Sequence, residues 1–209
     1  DVLGKRSDGY HEVRMVMQSV GLSDAVEIEE GEGLVVETDH SGLAGGPDNL
    51  AWKAAELLAR CCGKIPNVHI RLNKKIFLAA GLAGGSSDAA AVMRGLSRLW
   101  QLDLTAPELE KLAAELGSDI PFCITGGTAL AEGRGEILTE LPEAPELLLV
   151  LAKPKLEVAT GWVYGNFRQQ KVNQRPDIDG IIKALEQSAT GLLLESCGNV
   201  LESVTIPAH

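Results

Sequence analysis

Residues 80–91 read Ala80-Gly81-Leu82-Ala83-Gly84-Gly85-Ser86-Ser87-Asp88-Ala89-Ala90-Ala91, and Val92, Met93, Leu96 and Leu99 follow at helical spacing. A glycine-rich loop therefore runs without pause into an amphipathic helix. Such a loop exposes several backbone N–H groups at the positive end of a helix dipole, which is a seat for phosphate. Glycine lets the backbone come close where a Cβ would block it, and the hydroxyls of Ser86 and Ser87 add donors or a magnesium ligand. The segment is not a Walker A loop, because no Gly-Lys-Ser/Thr follows. Nor is it G-x-G-x-x-G, because its glycines are spaced differently. On local physics alone a tight strand-to-helix turn with serine capping explains it equally well.

Outward from the loop, Val68, Ile70 and Leu72 alternate as a strand. Arg71, Lys74 and Lys75 then either raise the local potential for an anion or form a solvated face. Upstream, His11–Ser19 alternates, and Ala25–Glu30 and Leu34–Thr38 flank the turn signal Gly31-Glu32-Gly33, which predicts antiparallel strands. Asp48 is placed to cap a helix carrying Leu50, Ala54, Leu57 and Leu58 and stopping at Gly63. Downstream, Thr105 and Glu108 form a capping box for a helix ending at Gly117, and Thr128–Leu141 reads as a hairpin around Gly133-Arg134-Gly135. Pro142 and Pro145 interrupt the pattern before an apolar strand, Leu147–Ala152, so a domain boundary is expected there, dividing the chain into 1–141 and 146–209. Helices are predicted over Thr160–Phe167, Ile178–Leu185 and Asn199–Val204. Trp52, Trp100 and Trp162 fall on predicted helices as packing residues. There is no internal repeat or low-complexity tract, and the fold class is α+β.

With 209 residues, 45% of them hydrophobic, the chain is long enough to bury a core in one large domain or two small ones. A formal net charge of -10 argues against a surface that neutralises nucleic acid, so any anion is held locally. Cys61, Cys62, Cys123 and Cys197 form no C-x-x-C pair and have no histidine at zinc-ligand spacing, which predicts reduced thiols without structural zinc. No apolar run reaches membrane-spanning length and no signal-peptide pattern opens the chain, so a cytoplasmic protein is expected. Because the chain starts at Asp1 without methionine, a plastid leader stays open.

Residues 80–90 resemble the phosphate loop of the GHMP kinases, named for galactokinase, homoserine kinase, mevalonate kinase and phosphomevalonate kinase. That family commonly has proline where Phe77 stands and often glycine at the positions of Ala79, Ala80 and Ala83. The resemblance implies the GHMP kinase two-domain α+β fold, ATP as phosphoryl donor and Mg2+ as its companion. It implies nucleotide contacts from Asn49 and from Phe77, Leu78, Ala79, Ala80, Gly81, Leu82, Ala83, Gly84, Gly85, Ser86 and Ser87. Asp48-Asn49-Leu50 matches a family motif whose asparagine lies near adenine; capping by Asp48 explains the motif too.

Leu116-Gly117-Ser118-Asp119-Ile120-Pro121-Phe122 sets a carboxylate beyond a helix end, between a glycine and an X-Pro restriction that fix the backbone. An aspartate capping the next turn serves equally. The resemblance implies that Asp119 is the catalytic group that accepts the proton of a substrate hydroxyl. In Gly4-Lys5-Arg6-Ser7-Asp8-Gly9-Tyr10-His11 a turn precedes an aromatic and an imidazole, which suit either base recognition or packing. The run resembles the signature of GHMP kinases that act on a cytidine diphosphate-linked methylerythritol, and implies Tyr10 stacking on cytosine and His11 hydrogen-bonding to it. Pro154–Tyr164 resembles the segment in which a threonine and an aromatic complete that pocket, here Thr160 and Tyr164, although a packing role for Tyr164 fits its helix equally well. The resemblance also implies a catalytic-site lysine on a strand before Asp1 and a glycine-rich motif after His209, so weak turnover by this chain alone is expected. The expected partner is a small molecule, with the protein a monomer or weak homodimer. A sibling GHMP kinase and a catalytically silent nucleotide-binding relative are the alternatives.

Overall fold

A computed structural model describes residues 1–209. In chain order the elements are β1 (Val2–Lys5), β2 (His11–Gln18), β3 (Ala25–Glu30), β4 (Leu34–Thr38), α1 (Leu50–Cys61), β5 (Val68–Asn73), α2 (Gly84–Leu99), α3 (Ala106–Ala113), α4 (Ile120–Thr125), β6 (Thr128–Gly133), β7 (Ile137–Glu140), α5 (Thr160–Asn166), α6 (Ile178–Glu186), α7 (Thr190–Ser196) and α8 (Glu202–Ala208). The chain divides into two compact units, one of Asp1–Ser19 with Gly126–His209 and the other of Val20–Thr125. These limits do not coincide with the prolines at 142 and 145. Residues 1–19 and 126–141 group with the C-terminal part because β2 and β6 pair along their length, from Val13 opposite Gly133 to Gln18 opposite Thr128.

In the Val20–Thr125 unit a three-stranded sheet of order β3-β5-β4 is covered by helices. The sequence predicts β3 and β4 as antiparallel neighbours, and here the structure corrects it. β5 lies between them, antiparallel to β3 and parallel to β4. The Gly31–Gly33 turn therefore crosses the end of β5, where Asn67 accepts N–H groups of both Gly31 (backbone O) and Gly33 (Oδ1). A central strand buried on one face needs period-two apolar residues, and Val68, Ile70 and Leu72 supply them.

Helix α1 lays Ala51, Ala54, Ala55 and Leu58 inward, and α2 buries Ala89, Ala90, Val92, Met93 and Leu96. Burying each of the larger side chains is worth about 1.5–3 kcal/mol. Small residues bring elements close: a Cβ on Gly95 would stand 2.6 Å from Ile28 Cδ1. The cap of α1 is Asn49, not Asp48; its Oδ1 accepts the Ala51 N–H at 2.8 Å. The capping box at Thr105 and Glu108 forms as expected.

The other unit holds a sheet of order β1-β2-β6-β7, all antiparallel, including the expected hairpin of β6 and β7. Leu130, Ile178, Ile181, Leu185 and Leu193 form one cluster, and Val2, Val13, Phe167 and Val200 another. The predicted strand Leu147–Ala152 is not a strand. No neighbouring strand offers it backbone partners, and Leu148 and Val150 are 99% and 91% exposed. The last helix begins at Glu202 rather than Asn199, whose side chain accepts the Leu201 N–H in the preceding turn. Trp162, expected to pack, is 45% exposed.

Candidate active site

In the Val20–Thr125 unit the loop leaves β5 and enters α2 through backbone of left-handed conformation at Ala79, Gly81 and Ala83 (φ 49°, 69° and 52°). Two of these are alanines, so the loop holds backbone that disfavours a Cβ by about 1–2 kcal/mol per residue. The first helical hydrogen bond runs from Ser87 N–H to the Ala83 carbonyl at 2.8 Å. The amides of Gly84, Gly85 and Ser86 precede it and are orphan donors at the positive end of a sixteen-residue helix. Glycine is required at 84, since a Cβ there would come within 2.9 Å of Ile76 Cγ2. Ser87 Oγ donates to the Gly84 carbonyl at 2.8 Å, whereas the Ser86 hydroxyl has no partner within the chain. Phe77 is half exposed, Leu78 and Ala80 are partly buried, Leu82 likewise, and Gly85 is exposed.

The three cations ahead of the loop do not act alike. Arg71 is exposed but paired with Glu29 (Nη2–Oε1 2.6 Å), whereas Lys75 is exposed without an ion-pair partner. Lys74 turns inward between Asp24 and Asp88, a cluster that the sequence reading did not find. Its signal was an aspartate at the fifth residue of α2, on the face that turns to the core. Burial raises the Asp88 carboxyl to about 6, against the opposing pull of Lys74. Burial alone would lower the Lys74 pKa, but hydrogen bonds to Asp24 and Asp88 outweigh it and raise it.

Asn49 spends most of its side chain on the fold. Besides capping α1, it donates from Nδ2 to the Ala44 carbonyl at 2.8 Å and is buried. Asp119 stands directly before α4, whose Ile120, Phe122 and Ile124 are buried and which packs against α2. Its carbonyl accepts the Cys123 N–H at 3.3 Å, while its carboxylate has no hydrogen-bonded partner in the chain. Burial holds the Asp119 pKa above the usual carboxylate range. The Cys123 thiol is pushed up to about 11 by burial and by the charge of Asp119, so it is protonated and inert at neutral pH.

In the other unit the turn before β2 is pinned by Asp8, which accepts the Tyr10 N–H at 3.0 Å and pairs with Arg6 Nε at 3.0 Å. Gly9 supplies the φ of 90° that this turn requires. Tyr10 presents its ring to solvent at 54% exposure, with the Arg134 guanidinium 4.9 Å from its centre. His11 lies against Tyr164 (centroids 5.1 Å apart, tilted 36°) and edge-on to Phe167 at 6.3 Å. Burial and then Lys5 lower the His11 pKa, so the imidazole is neutral at pH 7 and has one donor and one acceptor nitrogen. Thr160 opens α5 and is exposed. Tyr10, His11 and Tyr164 thus form an aromatic group in one unit, and Asn49, the loop and Asp119 belong to the other. Arg134 and Phe167 are additions to the first group; an arginine in a tight hairpin turn carried no distinguishing signal.

Residues 49–127 match the family model of the GHMP kinases N terminal domain. A 4-diphosphocytidyl-2-C-methyl-D-erythritol kinase of Acetivibrio thermocellus is 47% identical over 100% of this chain and 74% of its own. A crystal structure of 4-(cytidine 5'-diphospho)-2C-methyl-D-erythritol kinase superposes with a TM-score of 0.75 at 30% identity, covering 99% of this chain and 73% of that one. Homoserine kinase from Cytophaga hutchinsonii shares the fold at a TM-score of 0.61 and 18% identity, over 90% of this chain and 64% of its own. The chain belongs to the 4-diphosphocytidyl-2-C-methyl-D-erythritol kinase family.

Proposed function

We propose that this protein transfers the γ-phosphoryl group of ATP to the 2-hydroxyl of 4-diphosphocytidyl-2-C-methyl-D-erythritol, giving the 2-phosphate and ADP in the methylerythritol phosphate route to isoprenoid precursors. The observation that carries the reading is the row of orphan amides at Gly84, Gly85 and Ser86 at the head of α2. Such donors suit the triphosphate of a nucleotide. Similarity along the whole chain to relatives named for that substrate, and the run Asp8-Gly9-Tyr10-His11, favour it over homoserine or mevalonate.

In this mechanism the loop amides hold the phosphates while charge develops on the transferring group. Asp119 accepts the proton of the attacking hydroxyl; its carboxylate is uncommitted within the chain, and its raised pKa makes it a stronger base than an exposed aspartate. Tyr10 offers a face to the cytosine, and neutral His11 offers one donor and one acceptor to its edge. Tyr164 supports His11, and Thr160 is free to hydrogen-bond. The chain's donors fit a magnesium ion that travels with the nucleotide and keeps several waters, because the Ser86 hydroxyl is unpaired beside the loop amides. Such an ion neutralises phosphate charge when bound. A monomer or weak homodimer is the assembly proposed for this role.

The test is a coupled ADP-release assay on the full-length protein with the cytidyl substrate, homoserine and mevalonate in parallel. Turnover with the cytidyl substrate alone is expected. ATP binding without turnover on any of the three would instead identify a silent nucleotide-binding relative.

A further inference from the structure

Both ends of the glycine loop are fastened by one buried ionic group. Asp24, just ahead of β3, accepts with Oδ1 the backbone N–H groups of Lys75 at 2.5 Å and Ile76 at 2.8 Å, the residues that lead into the loop. Its Oδ2 accepts from Lys74 Nζ. The same ammonium donates to Oδ2 of Asp88 at 2.5 Å, the fifth residue of α2, just past the end of the loop. All three side chains are at most 3% exposed, and Asp88 Oδ1 is buried without a partner.

Two carboxylates and one ammonium removed from water are a poor means of stabilising a fold, since apolar residues of the same volume generally do as well. What distinguishes this group is where it acts. It joins residues 74–76 to residue 88, and between them lie the three left-handed residues Ala79, Gly81 and Ala83. It also seats Ile76 against Gly84, at the spot a Cβ would occupy. A loop held this way has its amides aimed before any ligand arrives, and affinity rises when ordering is not left to the binding step.

We propose that Asp24 and Lys74 are positioning residues that preset the loop for nucleotide phosphates, Asp24 through the Lys75 and Ile76 amides and Lys74 through Asp88. The proposal rests on the reading that the loop takes those phosphates.

Titration calorimetry of ATP and AMP against the parent chain and Asp24→Ala tests both ideas separately. The parent is expected to prefer ATP. Asp24→Ala, folded by circular dichroism, is expected to lose about tenfold in ATP affinity while AMP affinity stays within about twofold, because the missing clamp disturbs only the phosphate seat. Equal affinity of the parent for ATP and AMP overturns the phosphate reading, and the clamp's purpose with it. A preference for ATP kept undiminished in Asp24→Ala overturns the clamp alone. If Asp24→Ala does not fold, hydrogen exchange of the Lys75 and Ile76 amides in the nucleotide-free parent decides. Slow, helix-like exchange supports a preset loop, and exchange at open-loop rates overturns it.

Discussion

At Asp119 stability and chemistry pull in opposite directions. A carboxylate whose folded pKa is raised binds its proton more tightly folded than unfolded, so its ionised form detracts from stability at neutral pH. That penalty is relieved as pH falls through the folded pKa. Asp119→Asn should therefore melt no lower than the parent at pH 7 in a thermal scan, while turnover of the full-length enzyme drops by about 10²–10⁴-fold. The acid limb of the kcat profile should sit above the ~3.9 of an ordinary aspartate, reflecting the same burial. Lys74 answers to a different balance. Lys74→Met leaves Asp24 and Asp88 buried and facing each other, and should cost about 3–5 kcal/mol in urea denaturation. Ala83→Gly, by contrast, removes a Cβ from a residue at φ 52° and should stabilise by about 0.5–1 kcal/mol after the added unfolded-state entropy, read from the same urea midpoints. Residue types at the loop, Asp119 and the Tyr10-His11 pair could be read directly from the sequence, because each stands in a short local motif. The clamp could not: Asp24, Lys74 and Asp88 are distant in sequence, and only the folded sheet brings them together.

Among the elements, α1 shows how one residue can be claimed twice. Asn49 caps the helix and anchors Ala44, so Asn49→Ala should lose about 1 kcal/mol of stability by urea unfolding, whatever its part near a nucleotide. Periodicity found nearly every strand and long helix, since one buried face imposes it. It did not find strand order. Alternation in β3 and β4 is the same whether they pair with each other or with β5 between them, and the deciding information, the apolar run of Val68–Leu72, lies thirty residues on. The segment Leu147–Ala152 failed for the complementary reason, because an apolar run specifies a strand only where a ladder exists to receive it. Left bare, such a run favours self-association. Leu148→Lys and Val150→Lys should reduce light scattering of the concentrated chain without lowering its melting temperature.

For the molecule as a whole, composition limited the class and local motifs implied the family, but neither could reveal that the first nineteen residues join the C-terminal part. That grouping arises from six residue pairs between β2 and β6. A ribosome delivers the chain in order, so β2 emerges long before the strand that completes its ladder. The segment Val20–Thr125 can meanwhile close on itself, and its formation brings Ser19 and Gly126 to within a hydrogen bond of one another, Ser19 N–H to the Gly127 carbonyl at 2.9 Å. Closure of the long intervening stretch is thereby achieved by its own collapse, leaving little entropy to lose when the remaining strands zip.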